Sequence, residues 1–305
     1  MKRFYKEVTI LASPFESGFA MASPDLAPNP PKLERRRVEG EADFSRVSEK
    51  SVGGEVAPSD TPPRNSRGEF RPSLKGRVES FLVLLDGKPV KTPKRADLVL
   101  PWRELAEAIA EEWRAQGEEI KPAEMFLTKC ANTAIDQTAG HEEVVVEDIL
   151  AYANDLLCYR AIEPADLVAR QSENWDPLLA WLEARFGVKL GIGTGIAHIE
   201  HEEAALAKLR AAIGVHNAFT LTALYAATAL CGSLVLALAL LEGRLTAEEA
   251  FAASRLDEEY QAEKWGRDAG AELRARALAA ELDAAARFMR CAQGQVETPP
   301  PGKQP

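Results

Sequence analysis

The sequence predicts an α+β fold: a small N-terminal sheet with a helix packed on it, followed by a larger all-helical domain. Two β-prone stretches, "RFYKEVTI" and "ESFLVLLDGKPVKTP", stand near the N-terminus on either side of a polar segment. From Asn132 onward, apolar residues recur at helical rather than alternating spacing. The chain has 305 residues, 46% of them hydrophobic, which exceeds ordinary single-domain length and allows a sizeable core.

The first stretch reads as a strand. The second carries Asp86-Gly87 between apolar runs, a hairpin signal, and the two are expected to pair across the segment between them. That segment, residues 12–76, is rich in Pro, Ser, Gly and mixed charge and has no sustained apolar period. It cannot bury enough apolar surface to offset the entropy of ordering, and is expected to be a disordered insertion whose removal leaves stability nearly unchanged. Residues 1–11 and 77–131 then make up the N-terminal domain. Its helix has Pro101 at the start, Leu105, Ile109 and Trp113 on one stripe, and Gly117 at the end.

Residues 132–291 read as the helical domain. One helix is expected through "HEEVVVEDILAYANDLLCYRA", with Val145, Ile149, Tyr152 and Leu156 on its inner face. A second, "ADLVARQSENWDPLLAWLEARFG", carries Leu167 and later Leu178, Trp181 and Leu182 and stops at Gly187, and a short amphipathic helix follows in "EEAALAKLRAAIG". The uncharged run from Ala218 to Leu241 is long enough to span a bilayer. It contains Gly232-Ser233, lacks flanking Lys/Arg clusters and has amphipathic neighbours that need a central partner, so it is expected to be a buried core helix and the protein not to be membrane-embedded. The stretch from 246 to 290 reads as helical, opened by Thr246 as N-cap with Glu249 three residues on, and the tail 292–305 as disordered.

The formal charge of -10, from 47 acids and 37 bases, repels phosphate backbones and excludes nucleic acid as a partner. Cys130, Cys158, Cys231 and Cys291 lie far apart among apolar or helical neighbours, as reduced, mostly buried thiols of a cytosol-like compartment do. His198 and His201 are three residues apart on an expected helix start, yet no other His or Cys stands nearby and the adjacent acids are ordinary helix-dipole partners, so no metal is expected. "GIGTG", residues 191–195, lacks the Lys-Ser/Thr of a Walker loop and the dinucleotide glycine spacing, and reads as a flexible connection. No Ser sits in a nucleophile elbow and no Cys has catalytic flanks.

Three stretches stand apart: "LTKCANTAID"; "DLLCYRA" followed by "RQSENWDPLLAW"; and "LDEEYQAEKWGRDA". On a helical wheel the last brings Asp257, Gln261, Lys264, Trp265 and Asp268 to one face, with Glu258 at its margin. Two readings are open: a carboxylate-metal enzyme with its site on the 257–268 helix, or a charged, tryptophan-bearing face that holds a partner. Bundle metal sites repeat a Glu-x-x-His pair on facing helices, and no such pair occurs in this sequence.

Eight blocks resemble, in order, the ATP12 family of ATP-synthase assembly chaperones: "KRFYKEV", "VLLDGKPVKTP", "LAEAIAEEW", "LTKCANTAID", "YANDLLCYRA", "RQSENWDPLLAW", "GSLVLALAL" and "LDEEYQAEKWGRDA". The resemblance covers residues 2–10 and about 78–290. It implies the same two-part fold and a non-enzymatic function without cofactor: holding the free alpha subunit of the catalytic head until a beta subunit replaces the chaperone. A ring subunit exposes apolar interfaces before assembly and would aggregate through them, which gives that function its physical reason.

The family's acidic motif falls on Asp257, Glu258, Gln261, Trp265, Gly266 and Asp268, its "DLLCYRA" on Asp155 to Ala161, and its tryptophan motif on Arg170, Gln171, Trp175, Asp176 and Pro177. Glu258 and Asp257 are the first candidates for partner binding, and Trp265 either packs the helix or anchors the partner. Asp155 and Arg160, with Arg170, Gln171, Trp175 and Asp176, either bind the partner or are structural, Asp155 and Arg160 as an internal ion pair that positions helices. The 65-residue insertion, Phe126 in place of a common Pro and Cys130 in place of a common aliphatic residue depart from the family pattern. The family's first block begins at Lys2 and leaves no room for a mitochondrial presequence, so a bacterial cytoplasmic protein is expected, and a monomer.

Overall fold

The computed structural model describes residues 2–14, 79–195 and 198–293, and their architecture is α+β, a small sheet near the N-terminus followed by a larger helical part. Strands β1 (Val8–Pro14) and β2 (Glu79–Leu85) are neighbours, as the sequence predicts. Asp86 N donates to Glu7 O at 3.0 Å and Ser80 Oγ to Ser13 O at 3.3 Å, so the two run antiparallel. The strand continues to Pro14, two residues beyond the expected start of the insertion, and residues 15–78 lie outside the described residues.

Asp86 and Gly87 take φ of 48° and 76°, the double positive φ of a type I′ turn, which glycine reaches without steric cost. The turn sets Leu85 opposite Lys88 of β3 (Lys88–Pro89), and β4 (Val99–Leu100) pairs further back along β2, Phe81 opposite Leu100. Asp86 also accepts from Glu7 N and Lys6 N at 2.8 and 3.0 Å, and these bonds hold its carboxyl below the usual range.

Helix α1 (Arg103–Ala115) packs on β2 and β4 and buries Leu105 and Ile109, while Trp113 is half-buried. Trp102 rather than Pro101 takes the N-cap position, and the helix ends at Ala115, ahead of Gly117. From α1, the Glu112 carboxylate takes the Leu127 and Thr128 amides and the Thr128 hydroxyl at 2.7 to 2.8 Å, which caps α2 (Phe126–Thr133). Burial raises the Glu112 pKa against those bonds. A single π turn follows, Ala134–Thr138, in which Asp136 accepts from Thr92 Oγ1 at 2.7 Å and Lys94 N at 2.9 Å and so ties the sheet to the helices.

Helix α3 (Glu142–Leu150) is shorter than expected. The chain leaves it through 3-10 turns at Ala151–Ala153 and Leu156–Cys158, and Val146, Ile149, Leu157 and Cys158 are buried in place of the Val145, Tyr152, Leu156 stripe. The cause is Asp155, which takes extended backbone and caps the second turn through Leu157 N at 3.0 Å instead of continuing a helix. Tyr159–Arg160 (β5) then pairs in parallel with Gly193–Thr194 (β6), so "GIGTG" is held in a short sheet and is not a free connection.

Helix α4 (Ala165–Phe186) buries Gln171, Trp175, Leu178 and Leu182 and stops at Gly187 as predicted. Helix α5 (Glu203–Gly214) begins after His201, so His198 and His201 precede the helix. The 218–241 run is central but divided: α6 (Ala218–Cys231) and α7 (Leu234–Leu241) meet at Gly232, whose φ of 63° a residue with a Cβ rarely adopts, and Ser233, which caps α7 by accepting from Leu236 N. Among the described residues no helix is long and apolar enough to cross a membrane.

The stretch from 246 onward is three helices where continuous helix was expected: α8 (Ala247–Ser254), α9 (Leu256–Trp265) and α10 (Ala269–Ala292). Thr246 and Glu249 form the predicted capping box. Helix α6 packs on α10, α3, α7 and the π turn, and α10 also contacts α8 and α2. The last helix reaches Ala292, just inside the expected tail, and residues 294–305 lie outside the described residues.

Candidate functional site

The tryptophan motif on α4 and the acidic motif on α9 meet where these helices lie together, while Asp155 sits at the start of α7. Asp155 comes first: its carboxylate is 0% exposed and accepts from Ser233 Oγ at 2.7 Å, Val235 N at 2.9 Å and Leu157 N at 3.0 Å. One side chain thus caps a 3-10 turn and the start of α7 together. Burial raises its pKa to about 6 although these bonds favour the charged form. Burial, with Asp155 adding to it, pushes the thiols of Cys158 and Cys231 up to about 12, as inert core cysteines require. Cys130 is also buried, while Cys291 is only partly so.

Arg160 does not pair with Asp155 in this arrangement. Its Nε donates to Leu157 O at 2.9 Å, its Nη2 meets Asp176 at 2.7 Å, and its guanidinium lies 5.2 Å from the Trp175 ring centroid. Trp175 is fully buried, and its indole N–H reaches Ala253 O at 3.0 Å. Gln171 bridges two further segments: its oxygen accepts from Ala161 N at 2.8 Å and its nitrogen donates to Asp257 at 2.8 Å.

These contacts divide the face expected on the wheel. Asp257 turns to Gln171, and Lys264 to Asp166 at 3.0 Å. Tyr260, also on that inward side, gives its hydroxyl to Asp166 at 2.8 Å, and Glu263 takes both guanidinium nitrogens of Arg170 at 3.0 and 2.9 Å. The Tyr260 and Lys264 hydrogen bonds hold the Asp166 carboxyl low, and the Arg170 bonds do the same for Glu263. Glu258, Gln261 and Trp265 face solvent: Glu258 pairs only with Arg255 of the preceding turn at 2.9 Å, and Trp265 is 79% exposed. Asp268 is not on this helix at all. The chain turns at Gly266, and Asp268 caps α10 through Ala271 N at 2.7 Å.

For a metal site the acids of α9 are poorly disposed. Asp257 is engaged by Gln171, Glu258 by Arg255, Glu259 by Arg267 and Glu263 by Arg170. Among the described residues no three His, Cys, Asp or Glu side chains are grouped so as to hold a metal ion. His201 accepts from Gly191 N at 3.4 Å, and burial lowers its pKa.

Beside these contacts runs a groove of about 460 Å³ between α4, α8 and α9, lined by Arg170, Pro177 and Leu178 of one motif, Leu256 of another, and Arg244 and Leu245, while Leu273 on α10 is 70% exposed. Of these residues, Arg244, Leu245 and Leu273 lie outside every stretch that stands apart in the sequence; Arg244 and Leu245 lie in an ordinary interhelical turn, so no local signal could mark them.

The family model described as "ATP12 chaperone protein" matches residues 70–183. In Schizosaccharomyces pombe, "Protein atp12, mitochondrial" is 28% identical over 199 residues, spanning 61% of this chain and 68% of that one. The crystal structure of Atp12 from Paracoccus denitrificans is 43% identical, with a TM-score of 0.66 over 70% of this chain and 91% of that one. The chain belongs to the ATP12 chaperone family. A point mutant of Paracoccus denitrificans Atp12p gives the same ATP12 likeness, 42% identity and a TM-score of 0.66, over 70% and 92% of the two chains. These structural relatives extend the ATP12 assignment well beyond the stretch that the family model matches.

Proposed function

We propose that this ATP12-family chain is a chaperone for assembly of the proton-translocating ATP synthase, and that it binds the free alpha subunit of the catalytic head until the beta subunit replaces it. Family membership supports the chaperone role, and the eight-block sequence resemblance supplies the client. The observation that carries the reading is the outward side of α9, where Glu258, Gln261 and the 79% exposed Trp265 share one face. An indole left in water beside an acid and an amide suits an interface anchor better than a core position.

Binding of this kind needs no turnover by the chaperone. A beta subunit that competes for the same client surface releases it by mass action, and no cofactor enters. The chain acts as a monomer in the bacterial cytoplasm, with the sheet and α1 as one domain and the helices from 132 onward as another.

Co-expression with the cognate alpha subunit, followed by pull-down on the chaperone, tests the client. Co-elution of the two is the expected result. An alpha subunit that stays soluble yet never co-elutes would sink the proposal.

A further inference from the structure

Gln171 is 1% exposed, and both ends of its amide are committed. Its oxygen has to face the Ala161 N–H, a donor, so its nitrogen has to face Asp257, an acceptor. The orientation is therefore fixed at both ends, and the bridge joins the end of β5, α4 and the first turn of α9. The other ties between α4 and α9, through Asp166 and Arg170, start from surface side chains further along the helix. Glu258, one residue on from Asp257, projects about 100° away, is exposed, and pairs with Arg255.

We infer that Asp257 is a positioning residue held by Gln171, which sets how α9 presents Glu258, Gln261 and Trp265, and that it does not itself touch the client. The inference rests on the reading of the outward face of α9 given above. It separates the two acids that the sequence alone leaves equivalent: Glu258 meets the partner, and Asp257 aims the helix.

Exchanging donor and acceptor across the bridge tests it. Gln171→Glu keeps an oxygen for Ala161 N–H but sets a second one against Asp257, two acceptors with no hydrogen between them; Asp257→Asn supplies the missing N–H group. Affinity for the alpha subunit and melting temperature are measured for the unsubstituted protein, both single variants and the double. Gln171→Glu should weaken binding by about tenfold or more, and the double variant, which has no charge at position 257, should bind more tightly than Gln171→Glu alone. A direct contact by the Asp257 charge predicts the reverse, a double variant no tighter than Gln171→Glu, and that result overturns the inference, as does unchanged binding in Gln171→Glu. If Gln171→Glu does not fold, Gln171→Met, uncharged and of similar length, decides by amide hydrogen exchange: faster exchange across 256–265 with α6 unaffected is expected, and unchanged exchange across α9 overturns the inference. Failure of the unsubstituted protein to bind the alpha subunit overturns the proposed client instead, and the exchange measurement still tests the positioning role.

Discussion

Asp155 ties together two segments almost 80 residues apart, because one buried carboxylate satisfies donors from both. Its folded pKa of about 6 lies above the value near 4 of an unfolded aspartate, so the native state holds this proton more tightly than the unfolded chain does. The sign follows: the contribution of Asp155 to stability is fully present below about pH 4 and is lost as pH rises to about 6, a change on the order of 3 kcal/mol at most. Asp155→Asn removes that titration and also sets an N–H2 group against one of the facing amides. Chemical denaturation of both proteins at intervals from pH 4 to pH 7 should show the variant lacking this fall, and parallel curves would refute the account. At the other extreme, Glu258 is exposed and makes one i,i+3 pair, with Arg255. Glu258→Lys should cost about 1 kcal/mol or less of stability while weakening alpha-subunit binding roughly tenfold. A loss of melting temperature that matches the loss of binding would make Glu258 structural. The motif "DLLCYRA" could be quoted from the sequence, but the partners of Asp155, Ser233 and Val235, stand in another motif, and nothing local joins them.

Among the elements, α9 is held unusually. It buries only Leu256 and Tyr260, and its remaining ties are the Gln171 bridge and ion pairs to Asp166 and Arg170. Surface pairs contribute about 0 to 1 kcal/mol each and weaken with salt, whereas α6, which is almost wholly apolar, does not depend on them. Raising NaCl from about 0.05 to 1 M should therefore speed amide exchange across 256–265 several-fold and leave α6 unchanged; equal protection at both salts would show that α9 is held by packing. The same contrast explains what could be read in advance. The Asp86-Gly87 turn, the Thr246 capping box and the Gly187 stop were legible because each is decided within a few residues. The ends of α3 and α9 were not. Asp155 leaves the helical path to serve a distant segment, and the Gly266 turn puts Asp268 on a different helix from Asp257, so a wheel that runs straight through 257–268 groups residues that the fold separates.

Across the whole molecule, side chains lock the sheet and α1 to the other helices: Glu112 of α1 caps α2, Asp136 reaches back to Thr92 and Lys94, and Arg287 of α10 meets Glu111 of α1 at 2.5 Å. These locks predict that sheet and helices melt together in one transition. Phe288, fully buried on α10 and stacked on Phe219 with centroids 6.3 Å apart, is a suitable probe. Phe288→Ala should destabilise by about 3 to 5 kcal/mol and lower that single transition by roughly 10 °C. Calorimetry that resolves two peaks, of which only one moves, would show that the parts melt independently.

The break at Gly232 and Ser233 also bears on how this chain is sorted as it is made. Unbroken, the run 218–241 would wind into a rod of roughly 36 Å, longer than the ~30 Å hydrocarbon slab of a membrane; cut in two, its longer piece reaches only about 21 Å. A leucine at each of the two positions would restore one continuous apolar rod, the kind of segment that insertion machinery accepts. The pair that gives Asp155 a helix start to cap thus also keeps each helix of this most apolar run shorter than the hydrocarbon slab.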